Sequence, residues 1–130
     1  MVSELLIAED EEGFRLIEKL AITRSQLDVP FHFCTNGVEV QDFLNKRIEE
    51  KAELPSTLLL DINMPLMNGW EVCDWMKDKE ELSSITTIIV SSSDNLDDIN
   101  RAKSMNIEYK TKPLQFEDYV AFFNKIKESN

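Results

Sequence analysis

"LLLDINMPLMNGW", residues 58–70, runs three leucines into a carboxylate, Asp61, with Pro65 four residues on and Gly69 four beyond that. A short apolar run closed by a turn-forming segment reads as a strand covered on both faces. A charge at the end of such a strand is expensive to bury without a partner. The strand must therefore stop at a rim, with Asp61 at its tip.

Working outward, four further runs read as strands beside "TLLLD" (57–61): "LLIA" (5–8), "FHFC" (31–34), "TTIIVS" (86–91) and "IEYKT" (107–111). Segments with helical spacing lie between them. Phe14, Ile17, Leu20 and Ala21 make one stripe, Val40, Phe43 and Leu44 a second, and Val72, Cys73 and Met76 a third. Leu96, Ile99 and Lys103 with Ala102 make a weaker one, and Tyr119, Phe122, Phe123 and Ile126 the last. Asp10, Asn36 and Asp94 are placed to cap the first, second and fourth helices, and Pro65 suits the first turn of the third. Strands alternating with helices give βα units and a parallel sheet with right-handed crossovers. The expected fold is α/β: a doubly wound, five-stranded parallel sheet of flavodoxin-like order 2-1-3-4-5 with helices on both faces.

Composition narrows the function. The chain has 130 residues, one domain's worth, and its net charge of −11 argues against nucleic acid or anionic membrane as a partner. The apolar runs are too short to span a bilayer, and "MVSELLIAEDEEG" lacks the basic start of a signal peptide. Cys34 and Cys73 are isolated, as reduced structural thiols of a cytoplasmic protein would be.

The topology gathers the chemistry. Glu9 and Asp10 follow the first strand and Asp61 ends the third, so distant carboxylates meet where ligands bind in such sheets. Glu9 and Asp10 alone would suit the dipole of the first helix. With Asp61 beside them, like charges call for a cation, and a hard ion that keeps its waters, Mg²⁺, fits an open carboxylate site. The fourth strand brings Ser91 to this rim, and the fifth brings Lys112. An ammonium, a hydroxyl and a metal are what a phosphoryl group on Asp61 would need, with Asp61 as nucleophile.

These residues fall in "LLIAEDEEGFR", "LLLDINMPLMNGWEV", "IIVSSSD" and "YKTKPL", and with these motifs in this order the chain resembles the receiver domain of two-component response regulators, chemotaxis-type single-domain receivers in particular. The resemblance covers essentially the whole chain, so residues 1–130 are expected to form one receiver domain. It implies that Asp61 accepts a phosphoryl group from a sensor histidine kinase or a histidine phosphotransfer protein. It implies Mg²⁺ held by Asp10, Asp61 and the backbone carbonyl of Asn63, with Glu9 acting through water. Lys112 would contact the phosphoryl group, Ser91 would hydrogen-bond it, and Tyr109 would move as Ser91 moves. The Lys112–Pro113 peptide would be cis. The output would leave through the fourth helix, fifth strand and fifth helix, to a downstream protein or a second copy of the chain. Such a domain signals and is not an enzyme. Glu9 stands where Asp is commonest, Ser91 where Thr is, and Asn106 where Gly often precedes the fifth strand; Asn tolerates the left-handed backbone that position favours.

Other residues read as structure. His32 is an ordinary strand residue away from the rim. Trp70, Trp75, Met64 and Met67 read as packing. In the last helix, Val120 and Phe122 edge a wide apolar stripe and are expected to be partly exposed, Phe122 beside Tyr109 as a partner contact. A phosphatase of the haloacid-dehalogenase type would want an Asp where Asn63 stands. A flavodoxin-like electron carrier would want a neutral loop where "EDEEG" stands.

Overall fold

A computed structural model describes residues 2–112 and 115–128, so the expected cis Lys112–Pro113 bond lies outside the described residues. The elements are β1 (Leu5–Ala8), α1 (Glu12–Ser25), β2 (Phe31–Cys34), α2 (Gly37–Glu49) and β3 (Thr57–Leu60). They continue as α3 (Gly69–Lys77), a short 3₁₀ turn (Glu80–Leu82), β4 (Thr86–Ser91), α4 (Leu96–Ser104), β5 (Glu108–Thr111) and α5 (Phe116–Glu128). All strand pairs are parallel and the order is β2-β1-β3-β4-β5, as the pattern of runs predicts. Among the described residues no helix is long and apolar enough to cross a membrane.

The lack of polar alternation in the strands has a direct cause. Successive side chains of a strand point to opposite faces, and here both faces are covered. Leu5, Ile7 and Leu59 pack with Ala21 and Ile22 of α1 and Tyr119 and Phe123 of α5. Leu6, Leu58 and Leu60 pack with Val40 and Leu44 of α2, Val72 of α3 and Ala102 of α4. Each fully buried Leu or Ile contributes roughly 1.5–3 kcal/mol. Both cysteines are buried in this packing, which pushes the Cys34 thiol up to about 12 and the Cys73 thiol up to about 11.

Helix starts differ from the sequence reading in three places. α1 has Glu11 at its N-cap with no side-chain bond, and Asp10 belongs instead to the acidic cluster. α4 is capped by Asn95, whose Oδ1 accepts from Asp97 N–H at 2.8 Å, not by Asp94. Pro65 lies ahead of α3, which begins at Gly69 with a reciprocal box. Asn68 Oδ1 accepts from Glu71 N–H at 2.9 Å, and Glu71 Oε1 accepts from Asn68 N–H at 3.1 Å. Asn36 does cap α2, accepting from Glu39 N–H at 2.8 Å.

The late start of α3 follows from how its chain returns to β3. Gly69 N–H donates to Ile62 O at 2.9 Å, and a Cβ there would collide with the Asp61 carbonyl and lie 2.8 Å from Ile62 Cα. The loop is also tied to α2, Gly37 N–H donating to Met67 O at 2.9 Å. Leu66 at its apex has φ 68° and is 81% exposed. Asn106, ahead of β5, takes φ 58°, the left-handed conformation its side chain tolerates.

Phe122 is buried rather than partly exposed, while Val120 is half-buried as expected. The wide stripe on α5 covers the sheet beside Ile88 and Val90, and the Phe122 ring packs on Phe123 with centroids 5.4 Å apart. Trp70 and Met64 are buried, and Met67 and Trp75 pack half-buried at the edge of the same cluster. His32 is exposed, its Nε2 2.9 Å from Glu4 Oε2.

Candidate functional site

The sheet ladder runs one residue past the strands at their carboxyl ends. Glu9 N–H donates to Cys34 O at 2.9 Å, Asp61 N–H to Ala8 O at 3.1 Å, and Lys112 N–H to Ser91 O. Backbone bonding thus fixes Glu9, Asp61, Ser91 and Lys112 at one rim before any side chain interacts. Glu9, Asp10 and Asp61 each offer a carboxylate oxygen there, all within 4.8 Å of one another.

Asp61 is 5% exposed, more enclosed than a strand tip needs to be. What makes this burial tolerable is Lys112, 4% exposed, whose Nζ donates to Asp61 Oδ2 at 3.2 Å and to Glu9 Oε1. Asp61 Oδ1 accepts from Asn63 N–H at 3.2 Å. The Phe14 ring lies 4.1 Å from Lys112 Nζ, and Arg15 Nη1 donates to Glu9 O at 2.9 Å. Burial alone would lower the pKa of Lys112; the carboxylates of Glu9 and Asp61 overcome it and hold the ammonium protonated. Burial raises the Glu9 carboxyl, and Lys112 pulls it back down. Hard oxygen donors grouped at one rim fit a divalent cation of the Mg²⁺ kind.

Ser91 is fully buried, and its Oγ accepts from Ser93 N–H at 3.2 Å. Ser93 O in turn accepts from the hydroxyl of half-buried Tyr109. The structure therefore brings Glu9, Asp10, Asp61 and Lys112 into one cluster. It joins Ser91 and Tyr109 into a second group, tied to the first through the Lys112 backbone.

Two features escape the sequence reading. Glu18 on α1 is 3% exposed, its Oε1 has no hydrogen-bond partner among the described residues, and burial pushes it up to about 8. The hydroxyl of buried Tyr119 on α5 is likewise unpartnered, and burial with Glu18 nearby disfavours its ionisation. Helical spacing places residue 18 one turn from Phe14 and Ile22, on the inward face, so periodicity could have found it. The second feature is a bond from Trp70 Nε1–H to Asp98 Oδ1 at 2.9 Å, which no pattern of spacing signals.

The family model for the response regulator receiver domain matches residues 5–124. The probable methanogenesis regulatory protein FilR2 of Methanothrix harundinacea is 30% identical over 125 residues, 95% of this chain and 81% of that protein. Response regulator Rcp1 of a Synechocystis strain is 28% identical over 116 residues, 88% of this chain and 78% of that one. Among solved structures, the Mn²⁺-bound form of Rcp1 superposes with a TM-score of 0.83 at 24% identity, covering 98% of this chain and 93% of that one. The phosphorylated cyanobacterial phytochrome response regulator RcpA superposes with a TM-score of 0.84 at 24% identity, with the same coverage.

Proposed function

The chain belongs to the response regulator receiver domain family of two-component systems, and from that premise we propose that Asp61 is its phosphoacceptor. The donor is a phosphohistidine on a sensor kinase or a phosphotransfer protein. An Asp61 carboxylate oxygen attacks phosphorus, the phosphorus–nitrogen bond breaks, and the imidazole leaves with its electron pair and takes a proton from water. The observation that carries this reading is Lys112 bonded to both Asp61 and Glu9 beside Asp10. One cation already lies against an oxygen of Asp61, and the carboxylates are grouped to hold another.

Asp10, Asp61 and the Asn63 carbonyl would hold Mg²⁺ directly and Glu9 through water; the ion would neutralise the phosphoryl oxygens. Lys112 stays protonated and supplies its charge at the same oxygens. Ser91 Oγ already accepts from Ser93 N–H, so its own O–H is left to donate to a phosphoryl oxygen. Residues 1–130 act as one cytoplasmic receiver domain that signals and does not turn over substrate. The output face is α4, β5 and α5, read by a downstream protein or by a second copy. Phe122 is no exposed anchor beside Tyr109: it is buried in the cluster under α1 and α5, whereas Tyr109 packs with the cluster on the other face of the sheet.

Acetyl phosphate with Mg²⁺ tests the assignment. Intact-mass spectrometry should show one phosphoryl group added to the wild type and none to Asp61→Asn. Equal uptake by the variant would place the acceptor elsewhere.

A further inference from the structure

The loop between β4 and α4 is tied to α3 through one side chain, Asp98. On one side, Asp98 Oδ1 accepts from Trp70 Nε1–H at 2.9 Å. On the other, Asp98 Oδ2 accepts from Ser93 Oγ at 2.7 Å. Trp70 is held on its own account. It is 7% exposed, it packs in the core cluster, and the Arg101 guanidinium covers its ring at 4.6 Å while pairing with Asp74 at 3.1 Å. The indole is therefore a fixed donor on a fixed helix, and Asp98 carries its position to the loop.

Ser93 is where that position matters. Its Oγ also accepts from Asn95 N–H at 3.2 Å, its N–H donates to Ser91 Oγ at 3.2 Å, and its carbonyl accepts from the Tyr109 hydroxyl. One loop residue thus meets the hydroxyl proposed to sense the phosphoryl group and the aromatic proposed to move with it. Asp98 fixes that residue from a third direction, independently of Ser91.

We propose that Asp98 is a positioning residue of the switch: with Trp70 as its anchor, it holds Ser93 where the Tyr109 hydroxyl bonds to it, and so favours the loop position that phosphorylation selects. This rests on reading Asp61 as phosphoacceptor, Ser91 and Tyr109 as the switch, and the arrangement with the Tyr109 hydroxyl on the loop as the one phosphorylation selects. An interaction that favours one of two states adds to whatever a ligand does in the same direction, so removing it must weaken a ligand selective for that state. Asp98 lies on α4 and touches neither the acidic cluster nor Lys112 in any bond described above, so its effect must travel through Ser93.

Beryllofluoride, with saturating Mg²⁺, is the probe, because it stands in for the phosphoryl group on an aspartate. Its affinity is read by calorimetry. Asp98→Ala should weaken it about tenfold, the low end of what one charged hydrogen bond contributes. Trp70→Phe, which keeps a buried ring and removes the donor, should weaken it by a similar factor. The two changes together should be no worse than either alone, since they break one chain. Asp98→Asn should recover most of the affinity: its carbonyl accepts from Trp70, and its amide N–H donates to Ser93 Oγ. Mg²⁺ affinity without beryllofluoride should not move in any variant, and the Trp70 indole N–H resonance should shift in Asp98→Ala. A wild type that binds beryllofluoride while Asp98→Ala and Trp70→Phe bind it equally well overturns the proposal and leaves the phosphoacceptor reading standing. A wild type that does not bind it at all overturns both. If Asp98→Ala does not fold, Trp70→Phe decides alone.

Discussion

Replacing Glu18 by Gln should make this protein more stable, and by an amount that grows with pH. Glu18 is pushed up to about 8 in the fold, chiefly by burial, from an ordinary value of 4.5. Between those values the unfolded chain has released the proton and the folded chain still holds it. Stability then falls by about 1.4 kcal/mol for each unit of rising pH. The loss begins near the unfolded value, is about 3.5 kcal/mol between pH 5 and pH 8, and levels off above pH 8 at just under 5 kcal/mol. Gln has nearly the shape of the protonated acid and cannot ionise, so the variant lacks this slope while every other group titrates as before. Urea unfolding at pH 5, 6, 7 and 8 without metal, followed by tryptophan emission, measures it. With a urea slope of about 2 kcal/mol per molar, the gap between the two midpoints should widen by nearly 2 M across that range. A gap that stays constant with pH would mean that Glu18 is solvated or paired, and would refute the argument.

Three further outcomes follow from local geometry. Leu66→Gly should leave stability unchanged or raise it by about 1 kcal/mol in thermal melts, because Leu66 is 81% exposed and holds φ 68° where Gly carries no penalty; a loss of more than 1 kcal/mol would contradict this. Gly69→Ala should destabilise by roughly 2–3 kcal/mol in chemical unfolding, since its Cβ meets the backbone of Asp61 and Ile62, which cannot move without moving the acidic cluster; a near-neutral result would refute that contact. Mg²⁺ should bind more tightly as pH rises through the range in which Glu9, held up by burial, loses its proton, because a carboxylate behind the coordinating water attracts the ion and a neutral acid does not; calorimetry in two buffers of different ionisation enthalpy should show a proton released at the acid end of that range, and flat affinity would place Glu9 outside the site's charge balance.

What could be read from sequence was whatever a contiguous stretch or a regular spacing encodes. Strand runs bounded by turn residues gave the element order, and the order placed Glu9, Asp10, Asp61, Ser91 and Lys112 at one rim. Asn106 was legible because its left-handed backbone is a property of one residue. Pairings across the chain were not legible. Trp70 and Asp98 lie 28 residues apart on different helices, and nothing in either segment announces the other. The burial of Phe122 is not legible either, because a stripe's width shows how much of a helix is apolar, not how much of it the sheet covers. The burial of Asp61 is hidden for a related reason, since it depends on where Lys112 Nζ comes to rest.

The two faces of the sheet divide the work around Asp61. On the face covered by α2, α3 and α4, polar groups are paired: Trp70 with Asp98, Asp98 with Ser93, Ser93 with Tyr109. Paired donors and acceptors specify a position, and a position can be switched. On the face covered by α1 and α5, Glu18 and Tyr119 each keep an atom without a partner among the described residues, and such atoms lower stability without fixing a geometry. A neutral Glu18 also places no further charge behind a site that already gathers Glu9, Asp10 and Asp61. Were it ionised, it would repel the doubly charged phosphoryl group as well as those carboxylates. The same buried acid that makes the fold less stable in alkali should therefore also weaken beryllofluoride binding there, and Glu18→Gln should abolish that loss. Binding that weakens equally in both proteins above pH 8 would show that the two sites do not feel each other.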